Sequence, residues 1–140
     1  LSSPYSAIRP SMNQPSLLGL LFIFLGGGLG SLLRYFLGVG CRYLVPSSSA
    51  IFPWGTLLVN VLGSFLIGYL VERYHSGLGL EQFLLVVGFC GGFTTFSTFT
   101  LEVYSYFVEG LFWQGILYVV GSVLLGLTAL YLGFRLAGAQ

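Results

Sequence analysis

Residues 110–134 read GLFWQGILYVVGSVLLGLTALYLGF, a run of 25 residues without a charged side chain. A helix of about 20 mostly apolar residues crosses the hydrocarbon core of a bilayer, which is about 30 Å thick. Three further uncharged runs meet that length, at 10–33, 43–71 and 82–101. Backbone groups inside a bilayer have no water to bind, so each run must be helical. The sequence therefore predicts an all-α membrane protein with four transmembrane helices.

The composition of the whole chain supports this class. Only 6% of the 140 residues are charged, against about 25% in soluble domains. So few charges cannot keep a soluble domain dispersed, and a content of 56% apolar residues excludes a disordered chain. A net charge of +1 offers no electrostatic surface to nucleic acid. The expected surroundings are the lipid bilayer, and nucleic acid is excluded as a partner.

One membrane domain is predicted over residues 16–136. Allowing for polar ends, its four spans are placed at 16–38, 55–73, 82–107 and 112–134. The short connections between the spans leave no room for a soluble domain.

Residues 1–15 are predicted to form an N-terminal extension. The segment 1–11 (LSSPYSAIRPS) is polar, contains proline and has no hydrophobic period. Met12 is a candidate natural start, which would make residues 1–11 non-native.

The arginines do not decide the orientation in the membrane. Four spans put both termini on one side, with Arg9, Arg73 and Arg135, while Arg34 and Arg42 fall on the other. The positive-inside rule needs a clear excess on one side. Two interpretations stay open: a chance balance, or a chain that inserts both ways and pairs as an antiparallel dimer.

Residues typical of catalysis or metal binding are scarce. His75 is the only histidine, in a loop, so no second histidine accompanies it. Cys41 and Cys90 lie at different depths and lack metal-ligand spacing. We therefore expect no enzyme, and we interpret both cysteines as small apolar groups.

The charged residues inside the predicted spans all lie toward an end of their span. Glu102 lies toward the end of the third span, so no central carboxylate is present to carry a proton. Arg34 lies near the end of the first span. For Arg34 two interpretations stay open: snorkelling toward headgroups, or a cationic vestibule that attracts an anion.

Polar side chains form stripes on the second and fourth spans. Thr56 and Asn60 are four residues apart and share a helical face, as do Tyr118 and Ser122. An amide in a membrane needs a partner, so Asn60 should face another helix or a cavity.

The third span contains GFCGGFTTFSTFT at residues 88–100. Adjacent glycines followed by threonines favour a break in the helix at mid-membrane, which is tolerated only in protein or beside a cavity. Such a break frees carbonyls for a cation and N–H groups at the start of the second half-helix. The alternative is a kink packed against its neighbours. Hydroxyls, an amide and aromatic ring edges without an acid together suit an anion.

Three of these stretches resemble the fluoride channel family known as Fluc or CrcB. They are GGGLGSLLRY at 26–35, GTLLVNVLGSFLIG at 55–68 and GFCGGFTTFSTFTLEV at 88–103, while the fourth span matches more loosely. The resemblance implies an antiparallel, dual-topology homodimer of four-helix subunits in the bacterial plasma membrane. Two pores along the subunit interface would then let fluoride leave the cell passively.

The resemblance also implies which residues line the pore. Asn60 is implied to donate hydrogen bonds, and Phe96 and Phe99 are implied to form an aromatic box that contacts fluoride. The other pore-lining residues that it implies are Thr56, Thr95, Ser97, Thr98, Glu102, Tyr118 and Ser122.

Two further roles follow from the resemblance. Arg34 is implied to lie near the vestibule. The carbonyls of Gly91 and Thr94 from both subunits are implied to bind a structural Na⁺ at the dimer interface. This chain has Phe93 where many relatives have an aliphatic residue.

Two other functions stay open. A dual-topology multidrug exporter would need a carboxylate in the first span, and residues 10–33 contain none. In a non-conducting membrane assembly protein, the polar residues would only pack helices against one another.

Overall fold

The computed structural model describes residues 15–45, 52–74 and 79–139, and its regular structure there is entirely helical. The helices in chain order are α1 (Leu17–Leu44), α2 (Trp54–Arg73), α3 (Leu80–Gln82), a π-helix (Phe83–Cys90), α4 (Gly91–Phe93), α5 (Phe96–Val108) and α6 (Phe112–Gly138). From α3 to α5 they form one segment of membrane length, which we call the third segment. Most of the predicted extension 1–15 and His75 lie outside the described residues.

Four helical segments among the described residues are long and apolar enough to cross a membrane, which confirms the predicted number. The first differs most from its prediction, since α1 continues to Leu44 rather than ending near residue 38. Its last turns (VGCRYL) contain glycine but no proline, and the helix ends two residues before Pro46. Proline disfavours helical backbone in the residue before it. The helix can therefore continue past residue 38 to Leu44 and ends there, just before Pro46.

The helices pack in two closely contacting pairs, α1 with the π-helix and α2 with α6. Glycines make both approaches possible. A Cβ atom on Gly30 would overlap the carbonyl oxygen of Phe89, and one on Gly133 would overlap that of Phe65. Small residues let membrane helices approach backbone to backbone, and van der Waals contact then replaces the missing hydrophobic effect.

The third segment is interrupted between α4 and α5. Thr94 (φ −78°, ψ 159°) and Thr95 (φ −148°, ψ 120°) both have extended backbone. Before the interruption, the segment also contains a π-helix, a rare form that often occurs near functional sites. This interruption brings backbone polar groups of the third segment against α2.

A small set of side chains forms the fully buried core: Tyr118, Phe93, Val59 and Cys90. Large apolar side chains are exposed on all four segments, as expected for helices that face lipid or another protein chain. Phe93 stacks on Phe89 with ring centroids 5.5 Å apart, so the aromatic residue at position 93 packs in the interior.

Candidate functional site

Asn60 of α2 is joined to the interruption by two hydrogen bonds. Its Nδ2 donates to the carbonyl oxygen of Thr95 at 3.0 Å, and the N–H of Thr95 donates to Asn60 Oδ1 at 2.8 Å. The side-chain amide thus takes the place of a backbone partner for an extended residue. Ser64, four residues later on α2, donates to the Asn60 carbonyl at 2.7 Å. We call the paired Asn60 and Thr95 the junction.

The junction removes the usual helical donors from two carbonyl groups. In a continuous α-helix the N–H of Thr95 would donate to the carbonyl of Gly91, and that of Thr98 to the carbonyl of Thr94. Here the Thr95 N–H donates to Asn60, and the Thr98 N–H donates to Thr95 Oγ1 at 3.2 Å. Gly91 and Thr94 also line a cavity of about 350 Å³ together with Asn60 and Phe96. We call this the inner cavity.

Hydroxyl groups cluster around the first turn of α5. Thr95 caps this helix, because its Oγ1 accepts from the Thr98 N–H. The same oxygen lies 3.0 Å from Thr98 Oγ1 and 3.4 Å from Ser97 Oγ. Ser97 and Thr98 are exposed on the single chain, and Thr95 is buried. Three hydroxyls that can rotate to donate therefore lie within one turn of the junction.

Glu102 accepts a hydrogen bond on each carboxylate oxygen. Thr56 of α2 donates to Oε1 at 2.6 Å, and the Tyr118 hydroxyl of α6 donates to Oε2 at 2.8 Å. Residues of the second, third and fourth spans are thereby joined at one carboxylate. Glu102 and Thr56 also line a larger cavity of about 620 Å³. We call this the outer cavity.

The two cavities meet at Thr95, which lines both of them. Arg34 also lines the outer cavity. Because α1 continues ten residues past Arg34, this arginine lies within the helix rather than near its end.

Aromatic rings extend from the exposed surface into the core. The centroids of Phe96 and Phe99 are 6.0 Å apart, and those of Phe99 and Tyr118 are 5.1 Å apart. Phe96 is 76% exposed, whereas Tyr118 is 1% exposed. The three rings form a row from the surface of the single chain to Glu102.

Some residues implied by the sequence resemblance line neither cavity: Phe99, Ser97, Tyr118 and Ser122. The Ser122 hydroxyl is buried on α6, one turn after Tyr118. Gly126, one turn further along α6, faces α2 at the Ser64 hydroxyl.

Sequence reasoning missed three residues near the site. Ser64 and Arg42 were not chosen, although Ser64 is four residues from Asn60 and Arg42 is eight from Arg34. Both spacings return to nearly the same helical face, so they were the available indication. Ser31, also missed, lines the outer cavity and lies 3.4 Å from the Gly92 carbonyl oxygen.

Side chains that commonly bind metals lie apart from one another in the part of the chain that the structure describes. The described residues contain no group of three or more His, Cys, Asp or Glu that could bind a metal ion. Cys41 and Cys90 are free thiols, and Cys90 is buried.

Residues 21–134 match the family model of the CrcB-like proteins, described as Camphor Resistance (CrcB). The chain belongs to the CrcB family. Among its relatives, a protein of Thermus thermophilus named "Fluoride-specific ion channel FluC" is 46% identical over 121 residues, covering 85% of this chain and 93% of the relative. Proteins with the same name from Phocaeicola vulgatus (44% identical, 81% and 93% covered) and Rhizobium meliloti (40%, 86% and 97%) are also similar.

These comparisons confirm the family that the sequence motifs indicated. The match covers all four spans, including the fourth, where the sequence motifs agreed only loosely. Because the named relatives of this CrcB chain are ion channels, the prediction that it is not an enzyme is also confirmed.

Proposed function

We propose that this chain forms a fluoride-specific ion channel through which fluoride leaves the cell passively across the bacterial plasma membrane. The observation that carries the proposal is the junction, where an intramembrane amide binds an interrupted helix between two cavities lined by hydroxyls. The names of relatives that match more than four-fifths of this chain support it.

The junction and its hydroxyls supply donors for a dehydrated anion. An unpartnered charge in hydrocarbon costs on the order of tens of kcal/mol, so the path must replace the water that fluoride loses. The amide nitrogen of Asn60 carries two hydrogens, and the Thr95 carbonyl takes one of them. The other is left to donate to an anion in the inner cavity. The row of hydrogen-bond donors continues toward the outer cavity with the hydroxyls of Thr95, Ser97 and Thr98. Several weak sites of this kind let an ion leave as well as bind.

Phe96 and Phe99 can stabilise the anion without donating hydrogen bonds. Aromatic rings carry partial positive charge at their edges, so Phe96 and Phe99 can each present an edge to fluoride. Phe96 lies at the boundary of the inner cavity, and Phe99 continues the row of rings toward Tyr118. These two rings are the proposed aromatic box.

Glu102 closes the hydroxyl track without presenting a free charge to the ion. Both of its oxygens accept a hydroxyl hydrogen, from Thr56 and from Tyr118. Each bond disperses negative charge, and a carboxylate that orients two hydroxyls repels a passing anion less than a bare one does. Ser122 is proposed to extend the same track one turn further along α6.

The working unit is proposed to be an antiparallel, dual-topology homodimer with the third helix broken at mid-membrane. Phe96 is largely exposed beside the inner cavity, and Ser97, Thr98 and Thr100 are exposed on the same turns of α5. These hydroxyls bond to groups of their own helical turns, but a polar surface is costly against lipid, so it favours a protein neighbour. A second copy would cover it and form a pore between the subunits.

A structural Na⁺ fits the interruption. The Gly91 and Thr94 carbonyls have lost their helical donors to the junction and line the inner cavity. Unwound carbonyls in broken membrane helices commonly coordinate Na⁺. When bound, the ion would neutralise these dipoles and link the two subunits. Exchanging Na⁺ for N-methyl-D-glucamine during purification should lower the melting temperature, and an unchanged temperature would contradict the site.

The decisive experiment uses purified chain in liposomes loaded with potassium fluoride. Valinomycin then carries the compensating K⁺, and a fluoride electrode records release. We expect rapid fluoride release and much slower chloride release from matched liposomes. Equal rates for the two halides, or no fluoride release at all, would contradict the proposal. The multidrug exporter and the non-conducting assembly protein both predict no release in this assay.

A further inference from the structure

The outer cavity has one charged wall, formed by a single face of α1. The residues of α1 and its C-terminal end that line it recur every three or four positions, at 31, 34, 35, 38, 41, 42 and 45. That spacing is one continuous helical stripe. Arg42 lies in the last turn of the helix, and Arg34 lies eight positions before it. Two cations therefore follow the wall from the end of α1 toward the junction.

Neither guanidinium is neutralised by a carboxylate. All four glutamates of the chain fall within the described ranges, and no ion pair or hydrogen bond joins Arg34 or Arg42 to a described residue. Glu102 is the one acid among the described residues that line the outer cavity, and Thr56 and Tyr118 already donate to both of its oxygens. The outer cavity thus has a positive formal balance, with two arginines against one glutamate.

We infer that Arg42 is an anion-capture residue at the mouth of the outer cavity. This inference rests on the proposed channel function and deepens it. A cleft lined by one sign of charge raises the local concentration of counter-ions and their rate of arrival. A cation in the last turn is placed to act before an anion reaches the junction. Because a point charge does not distinguish one halide from another, Arg42 sets the rate of entry and the inner donors set selectivity.

Screening by salt makes the inference testable. The Debye length is about 30 Å at 0.01 M ionic strength and about 3 Å at 1 M. A unit charge about 8 Å from the ion's path changes its local concentration by about two- to threefold in water. Single-channel fluoride currents in planar bilayers should therefore fall about two- to threefold in Arg42→Gln at low ionic strength. At about 1 M potassium gluconate, the variant and the unmodified chain should carry equal currents.

The controls separate charge from packing and from general surface charge. Arg42→Lys keeps the charge and should keep the low-salt current. Arg73→Gln removes an exposed arginine from the last turn of α2, outside the outer cavity, and should leave the current unchanged. The selectivity for fluoride over chloride should be the same in every variant.

Several outcomes would overturn the inference. They are an equal salt dependence in Arg42→Gln and the unmodified chain, an equal loss in Arg73→Gln, or no rescue by Arg42→Lys. Failure of the proposed function would look different, since the unmodified chain itself would then carry no fluoride current.

Discussion

The two halves of the third segment differ in how they contact the rest of the chain. In the first half, the π-helix and α4 lie against α1 so closely that backbone meets backbone, and Cys90 and Phe93 are buried. In the second half, the first turn of α5 carries exposed Phe96, Ser97 and Thr98. The first half packs closely because α1 has glycines, which lack side chains, at the contact. The function of the second half depends on the side chains that α5 itself presents.

This difference shows how a short chain can support an irregular backbone in a membrane. The close contact with α1 fixes the first half, and the junction with Asn60 fixes the point where the second half begins. The polar and aromatic side chains of α5 therefore lie on a surface whose position is fixed by the contact with α1 and by the junction. Variants of the first half should therefore disturb folding, and variants of the second half should disturb conduction.

A folding defect is expected where α1 packs against the first half, from Gly30→Ala. The added Cβ would overlap the Phe89 carbonyl, a backbone atom that cannot turn away. Overpacking of this kind costs about 1–3 kcal/mol, and the two helices must separate to relieve it. We expect a lower melting temperature and less monodisperse protein in size-exclusion chromatography. Gly28→Ala is the control, because a Cβ there meets nothing within 4 Å. Equal behaviour of the two variants would contradict the close packing.

The largest effect on conduction is expected at the boundary between the halves, from Asn60→Ala. The Thr95 N–H and carbonyl would both lose their partner, at a cost of about 1–3 kcal/mol for each buried group left unsatisfied. A donor to the anion would also be lost, worth about 1.5–3 kcal/mol or about tenfold or more in flux. The liposome assay measures the flux. Ser64→Ala removes a neighbouring hydrogen bond to the Asn60 carbonyl and should reduce flux far less.

A moderate effect confined to conduction is expected in the second half, from Phe96→Ile. The ring is 76% exposed on the single chain, so its loss should leave the folded subunit intact. Loss of the ring edge should lower fluoride flux by about three- to tenfold, the worth of a favourable aromatic contact. Phe24→Ile is a matched control on α1, since Phe24 is also 76% exposed. A flux in Phe96→Ile equal to that in Phe24→Ile would place the path away from this surface.

The comparison also separates what the sequence could predict from what it could not. Uncharged runs predicted four spans, because a bilayer constrains length and polarity strongly. The pair Gly91 and Gly92 with the threonines that follow indicated an interruption, and the helical backbone ends at Phe93. Which two carbonyls lose their donors depends on the dihedral angles of Thr94 and Thr95. Those angles are set by packing and not by local propensity.

The sequence also could not predict which residues of different spans contact one another. Thr56 and Asn60 were predicted to share a face, but the same face donates to Glu102 at one turn and binds Thr95 at the next. Asn60 and Thr95 are 35 positions apart, and only the rotation of α2 about its axis brings them together. Periodicity fixes which residues share a face, and it leaves open which helix that face meets.

The smallest effect is expected on α6, where it contacts the second half, from Tyr118→Phe. The ring and its packing against Phe99 are kept, and only the hydroxyl that donates to Glu102 Oε2 is lost. Thr56 still donates to the other oxygen, so the cost should be about 1 kcal/mol, seen as a small fall in melting temperature. Combining it with Thr56→Val should cost more than the sum of the two single changes, because Glu102 then loses both donors. Tyr131→Phe, at a tyrosine of the same helix that is 61% exposed, is the control. If Tyr118→Phe were as silent as that control, and its effect simply added to that of Thr56→Val, the carboxylate would not be the link between the second, third and fourth spans.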